Sequence, residues 1–199
     1  MGLGKRKTGG GEIMPLLKFD ARVGRFYTQD RVYEYGEWRS VQSDVTDDLV
    51  VIFDLKNIKR GWIKFPKGAA PEMVLFPLSV EDIGDAPSDE HREGLRVLAR
   101  LDGETAWREM LSTAVGLWVG LDALHNEYLA GVEEHPDQLP VAQLVERKEK
   151  KTESGGSSWT PLFKIIDWVD PGDVTVPTPQ PAKKAAAAKR NDMDDEIPF

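Results

Sequence analysis

With 199 residues, 40% of them hydrophobic, and a formal net charge of −8, the chain has material for one sizeable core plus appendages. The absence of cysteine excludes a disulfide framework, a thiolate nucleophile and a cysteine-based zinc site. A reducing cytoplasm is the expected home of such a cysteine-free chain, and no apolar run reaches the length of a membrane span.

The negative total conceals a gradient. Residues 1–67 carry 13 Lys and Arg against 9 Asp and Glu, residues 68–147 carry 5 against 16, and residues 148–199 carry 8 against 9. A basic first third on an acidic chain can still form a local phosphate-tracking surface.

Residues 1–11, rich in Gly and Lys, read as a flexible N-terminal arm. GLGKRKTGGG lacks the G-x-x-x-x-G-K-[ST] spacing of a phosphate-binding loop, and no strand pattern precedes it. Its positive charge is followed by no apolar segment, so a signal peptide is not expected. Arg6 stands where a myristoylation signal has Ser or Thr.

From residue 12 to 171 the chain reads as one folded body. Met14 to Trp38 is strand-like with an interruption at Gly24, and Arg31, Tyr33 and Tyr35 share one parity, hence one strand face. In TDDLVVIFDLKNI, Val51, Phe53 and Leu55 alternate against Ile52, Asp54 and Lys56. After Gly61, parity sets Ile63 and Phe65 toward a core and Trp62 and Lys64 outward. Pro71 to Val80 is a short extended piece whose prolines confine it to an edge. Glu81 to Gly94 is an acidic loop, expected to lie away from any polyanion, and Leu95 to Leu101 a strand.

Residues 104–130 read as one long helix. Trp107, Leu111, Ala114, Trp118, Leu121 and His125 follow 3/4 spacing, Asp102 or Gly103 can cap the start, and Gly131 stops it. Trp107 and Trp118 are therefore expected in the core. Leu139 to Arg147 and Trp159 to Val169 read as two final strands around a polar, Gly/Ser-rich hairpin loop. The fold class is thus mainly β with one long helix. An OB-fold-like five-stranded Greek-key barrel, with the helix before its last two strands, fits this string, as does a generic α+β sandwich.

Beyond residue 171 the pattern ends. PGDVTVPTPQPAKKAAAAKRN has four prolines and no core-forming periodicity, so residues 172–190 read as a disordered linker. Residues 191–199 close the chain with DMDDEIPF. Asp192, Asp194, Asp195 and Glu196 precede Ile197, Pro198 and a C-terminal Phe199. Six chosen residues in fixed order at a chain end arise by chance at about 10⁻⁷ or less.

This motif resembles the acidic tip of single-stranded DNA-binding proteins of the bacterial SSB type. The body lacks that family's usual N-terminal strand pattern. In KFDARVGRFY, VIFDLKNIKRGWIKF and KIIDWVD it looks instead like the single-stranded DNA-binding proteins of tailed phages and prophages. The resemblance implies an OB-fold, a role in replication and recombination, and partner recruitment through the tip. The body's departure from the bacterial pattern puts a bacterial-type homotetramer in doubt and leaves a homodimer open.

Such a function needs cations for phosphates and aromatic faces for bases. Arg22, Arg25, Phe26, Tyr27, Arg31, Tyr33, Tyr35 and Trp38 interleave those types, and Lys56, Lys59, Arg60, Trp62 and Lys64 do so again. The two stretches are expected to line one groove. Lys148, Lys150, Lys151 and Trp159 form a second candidate that reads better as a solvated charge run. At the tip, a partner can take the Phe199 ring in a pocket and its carboxylate on a cation. Asp192, Asp194, Asp195 and Glu196 add attraction to a basic rim, and Ile197 and Pro198 add apolar contact and stiffness.

Neither an enzyme nor a cofactor or metal site is expected. His91, His125 and His135 are scattered without metal-ligand spacing, Asp47/Asp48 and Glu133/Glu134 read as solvated acids, and no serine has a base motif beside it. The competing expectation is an acidic recombination accessory or DNA-mimicking module that carries the tip without binding DNA. The acidic middle segment supports it.

Overall fold

The computed structural model of the chain describes residues 14–151 and 156–171. Residues 1–13, 152–155 and 172–199, and with them the expected arm at 1–11, the linker and the tip, lie outside the described residues. The described body is mainly β with one α-helix.

Ten strands form one sheet: β1 (Leu16–Asp20), β2 (Arg25–Glu34), β3 (Glu37–Asp44), β4 (Val50–Phe53), β5 (Lys59–Lys64), β6 (Glu72–Pro77), β7 (Arg92–Leu101), β8 (Arg108–Ser112), β9 (Leu139–Lys151) and β10 (Ser157–Val169). Their order is β10-β9-β4-β7-β8-β1-β2-β3, with β5 paired to β7 and β6 paired to β5. Every neighbour pair is antiparallel except β1 with β8, which meet in parallel at Leu16 and Glu109.

The ladder does not close, but the sheet is strongly curled. Phe163 of β10 lies 5.7 Å from the Phe26 ring of β2 and 5.4 Å from Phe53 of β4, all inside one core. Two hydrogen bonds cross the seam between the flanks. The Trp159 N–H donates to the Ala21 carbonyl at 2.8 Å, and Arg147 Nη1 donates to the Gly24 carbonyl at 3.1 Å. Gly24 has φ +68°, and a Cβ there would come within 2.7 Å of the Trp159 ring. Only glycine satisfies both demands.

The helix α1 (Val115–Gly131) covers the core with Leu117, Leu121, Leu124 and Tyr128. Gly116 and Gly120, four apart, let its backbone lie directly on β10. Ideal Cβ atoms there would sit 2.1 Å from the carbonyl oxygens of Trp159 and Pro161. The helix therefore starts eleven residues later than the 3/4 spacing predicts. The stretch 108–112 alternates buried and half-buried positions as β8. The Ala114 N–H is taken by Ser112 Oγ at 3.1 Å, so the start is not capped from Asp102 or Gly103. Gly131 does mark the end.

Trp107 is buried as expected, though not on the helix. It joins Ile52, Leu98, Leu139 and Val141 in a smaller cluster on the other side of the sheet. Both faces of β4 are thus covered, and Asp54 at its end is buried too. The Asn57 amide donates to both Asp54 carboxylate oxygens, at 2.9 and 3.0 Å, across the 3-10 turn Leu55–Asn57. Burial pushes the Asp54 carboxyl up from its ordinary range, and the Asn57 bonds oppose this. That turn separates β4 from β5.

β6 is an edge strand paired only with β5, as its prolines require. Ile63 is buried, but Phe65 is 54% exposed. β5 ends at Lys64, so strand parity does not reach Phe65. The two final strands extend to Lys151 and from Ser157, through most of the segment expected as a loop.

Candidate nucleic-acid interface

β2 and β3 form a hairpin whose two-residue turn, Tyr35 and Gly36, has φ +53° and +86° at its central positions. Paired positive φ values match the right-handed twist of the strands. The turn interrupts the alternation, so Tyr35, 93% exposed at its tip, does not continue the face of Arg31 and Tyr33.

Cross-strand register then defines one outward face. Lys18 stands opposite Tyr27 and Leu16 opposite Gln29 between β1 and β2. Tyr27 faces Asp44, Gln29 faces Gln42, Arg31 faces Ser40 and Tyr33 faces Trp38 between β2 and β3. Residues of this parity point away from the core, because their neighbour Phe26 points into it. From Tyr27 to Tyr33 the lane runs about 20 Å at the usual rise of a strand.

Aromatics and cations alternate along this lane. The Tyr33 and Trp38 rings, 59% and 66% exposed, pack with centroids 5.3 Å apart. Gln29 Nε2 donates to Ser40 Oγ at 2.7 Å. Two recesses follow. One, of about 680 Å³, lies between β1 and the β5–β6 turn, with Lys18, Gln29, Arg31, Phe65 and Met73 among its walls. The other, of about 580 Å³, continues past Tyr27, Arg22 and Gln42. Lys18, Phe65 and Leu111 belong to both, so the recesses form one groove.

The expected residues divide accordingly. Arg22, Tyr27 and Arg31 line the groove, and Tyr33 and Trp38 extend its lane. Among the described residues, no carboxylate pairs with the side chains of Lys18, Arg22 or Arg31. Arg25 is different: it is ion-paired with Asp44. Asp44 also accepts from the Thr46 hydroxyl at 2.6 Å and the Thr46 N–H at 2.9 Å. Those bonds, with Arg25, hold its carboxyl down at about 2. Phe26 is fully buried, 4.7 Å from Phe19, and cannot meet a base without unfolding the core.

The second expected limb does not join the first. Lys56, Lys59, Arg60, Trp62 and Lys64 line neither recess. Most of them are engaged elsewhere. Lys64 pairs with Glu90 at 2.7 Å and Glu72 at 3.4 Å, and the Glu90 contact raises its pKa while lowering that of Glu90. Arg60 Nη2 donates to the carbonyls of Val80 and Glu81 at 2.8 and 2.6 Å, and Trp62 Nε1 to Gly84 at 3.2 Å. Lys56 faces Asp137 at 3.7 Å. The acidic loop 81–94 thus packs on this basic stretch.

The β9–β10 arm behaves as a solvated charge run. Lys148 pairs with Glu146 at 3.7 Å and Lys151 with Glu149 at 3.1 Å, while Trp159 is half-buried at the seam. The three histidines have separate structural settings. His91 Nδ1 bonds Ser88 Oγ, His135 stacks on Trp168 at 4.6 Å, and burial lowers the pKa of His125 beside Tyr128. No cluster of three metal-binding side chains occurs among the described residues.

Lys18, Gln29 and Met73 line the groove without being expected there from the sequence, and Phe65, expected toward the core, lines it too. Lys18 is a lone cation in an apolar stretch, legible only once β1 is registered against Tyr27. Phe65 sits past the end of its strand. Residues 192–199 lie outside the described residues. No helix among the described residues is long and apolar enough to cross a membrane. Comparison with family models, curated proteins and solved structures finds no match to this chain.

Proposed function

We propose that the protein binds single-stranded DNA with little sequence preference and serves replication or recombination. The observation that carries the reading is the outward lane of β1–β2–β3. There Lys18, Arg22 and Arg31, free of carboxylate partners among the described residues, interleave with Tyr27, Tyr33 and Trp38. Cations that track phosphates and ring faces that accept any base are what sequence-tolerant single-strand binding requires. The groove is open and extended, which suits a chain more than a compact metabolite. Binding alone, with no catalytic step, accounts for it.

An OB-like barrel is the finer fold within this reading. It is supported by the curl that brings β10 to the β1–β2 turn and by a helix preceding the last two strands. The likeness of DMDDEIPF to the SSB tip supports recruitment of replication or recombination proteins, and the body's likeness to phage proteins supports a phage or prophage setting in the bacterial cytoplasm. One observation favours the alternative of an acidic, non-DNA-binding module: the loop 81–94 presents Glu81, Asp82, Asp85, Asp89 and Glu90 beside the partnered cations of β5.

Titration with oligothymidylate at low and high salt separates the two. The leading reading expects binding whose logarithmic affinity falls linearly with log salt. No binding at low salt would leave the acidic module as the better account.

A further inference from the structure

We propose that the cleft between β1 and the β5–β6 turn is a nucleobase-insertion site, in which a base of the bound strand is turned out of the stack and laid against Phe65. The proposal rests on the single-strand reading above and gives it a specific subsite.

The cleft has the room and the chemistry for a base. Its volume of about 680 Å³ falls within the range of about 300–1,000 Å³ typical of small-molecule sites. Leu16, Leu111 and Met73 form apolar walls, and the half-exposed Phe65 lines the cleft with them. The Met73 thioether adapts to flat aromatic ligands. The Gln29 amide lies among them; its Nε2 gives one hydrogen to Ser40 Oγ, which leaves the second N–H and the carbonyl oxygen for a base edge. An amide with both capacities fits any of the four bases, so insertion is compatible with sequence tolerance.

Charge argues for a nucleotide chain as the occupant. Lys18 and Arg31 both line the cleft, and the register places them about four residues apart along the ladder, roughly 13 Å. A phosphate backbone held at both cations would pass over the cleft mouth. Glu109, the one carboxylate in the lining, is ion-paired with Arg96 and so offers little repulsion. The cleft also opens into the neighbouring recess through Lys18, Phe65 and Leu111, giving an elongated ligand a way out. A closed pocket for a free small molecule would lack that exit.

The test uses the full chain and an oligothymidylate carrying one internal 2-aminopurine, whose emission reports stacking. Emission should change on binding. Phe65→Ala should abolish that change and weaken the strand about fivefold, the lower bound of a lost base–aromatic stack. Ala70→Trp, which fills the cleft from the exposed turn while keeping Phe65, should also abolish it. An unaltered emission change in both variants, with the strand still bound, would overturn the inserted base and leave single-strand binding intact. Failure of the native chain to bind the oligonucleotide would overturn both readings. If a peptide of residues 192–199 abolished the emission change while the strand stayed bound, the cleft would belong to the chain's own tip and the proposal would fall.

Discussion

The Trp159 ring lies over Gly24, so that the start of β10 closes on the turn between β1 and β2. This contact carries the seam of the curled sheet, and it also fixes the groove. Arg22, two residues before Gly24, enters the groove from that turn. A side chain at position 24 meets two penalties together, a left-handed backbone and a clash with the ring. Gly24→Ala is expected to destabilise the fold by roughly 2–5 kcal/mol, from about 1–2 for the backbone and about 1–3 for overpacking. Urea unfolding of the two proteins measures this, and an unchanged midpoint would show that the seam adds nothing.

The groove should be read by its cations. Lys18→Ala and Arg31→Ala should each weaken oligothymidylate binding and reduce the slope of log affinity against log salt by about one. Lys56→Ala and Lys64→Ala should leave the slope unchanged, because neither side chain lines the groove and each already faces a carboxylate. Equal effects in the two pairs would mean that the strand follows β5 after all.

Asp44 restrains Arg25 and is itself held by Thr46. Its folded pKa, about 2, lies below the unfolded value of about 3.9. The proton therefore favours the unfolded chain. The stabilisation is complete above the unfolded pKa and is lost as pH falls through the folded one, between about 4 and 2. Asp44→Asn should lack this acid-side loss and should be less stable than the native chain near neutral pH. It also releases Arg25 beside Tyr27, so oligothymidylate should bind it more tightly at low salt. Thermal midpoints from pH 7 down to 2, compared between the two proteins, test the first part; a parallel acid-side loss in both would remove Asp44 as the cause.

How much of this was legible depended on whether neighbours along the chain or across the sheet decide an element. The alternation of Val51 and Phe53 and the prolines around β6 are local signals, and both were sound. β3 carried no such signal, since all eight of its residues are exposed and its place is set by the Tyr35–Gly36 turn and by pairing with β2. The start of α1 misled for a related reason. Trp107, Leu111 and Ala114 happen to fit a helical spacing, yet pairing with β7 holds 108–112 extended. At the site, the residue types were visible but their partners were not. Nothing in KNIKRGWIK announces that Glu72, Glu90 and the carbonyls of loop 81–94 will occupy its donors. The unpaired cations of β1 and β2 emerge only once those pairings are known.

The tip and the groove should compete. Residues 191–199 carry Asp192, Asp194, Asp195 and Glu196, and an acidic segment on the same chain as Lys18, Arg22 and Arg31 competes with DNA for those cations intramolecularly. A chain ending at Arg190 should therefore bind oligothymidylate a few-fold more tightly at low ionic strength. The gain should shrink with added salt, because screening weakens the tip's hold on the groove. The same truncation should abolish capture of any partner that recognises the Phe199 ring and carboxylate. Phe199→Ala separates the two effects: it should lose the partner while retaining most of the electrostatic competition, since it removes a ring and no charge. Identical DNA affinity for the full and shortened chains, measured at low salt, would show that the tip acts on partners alone.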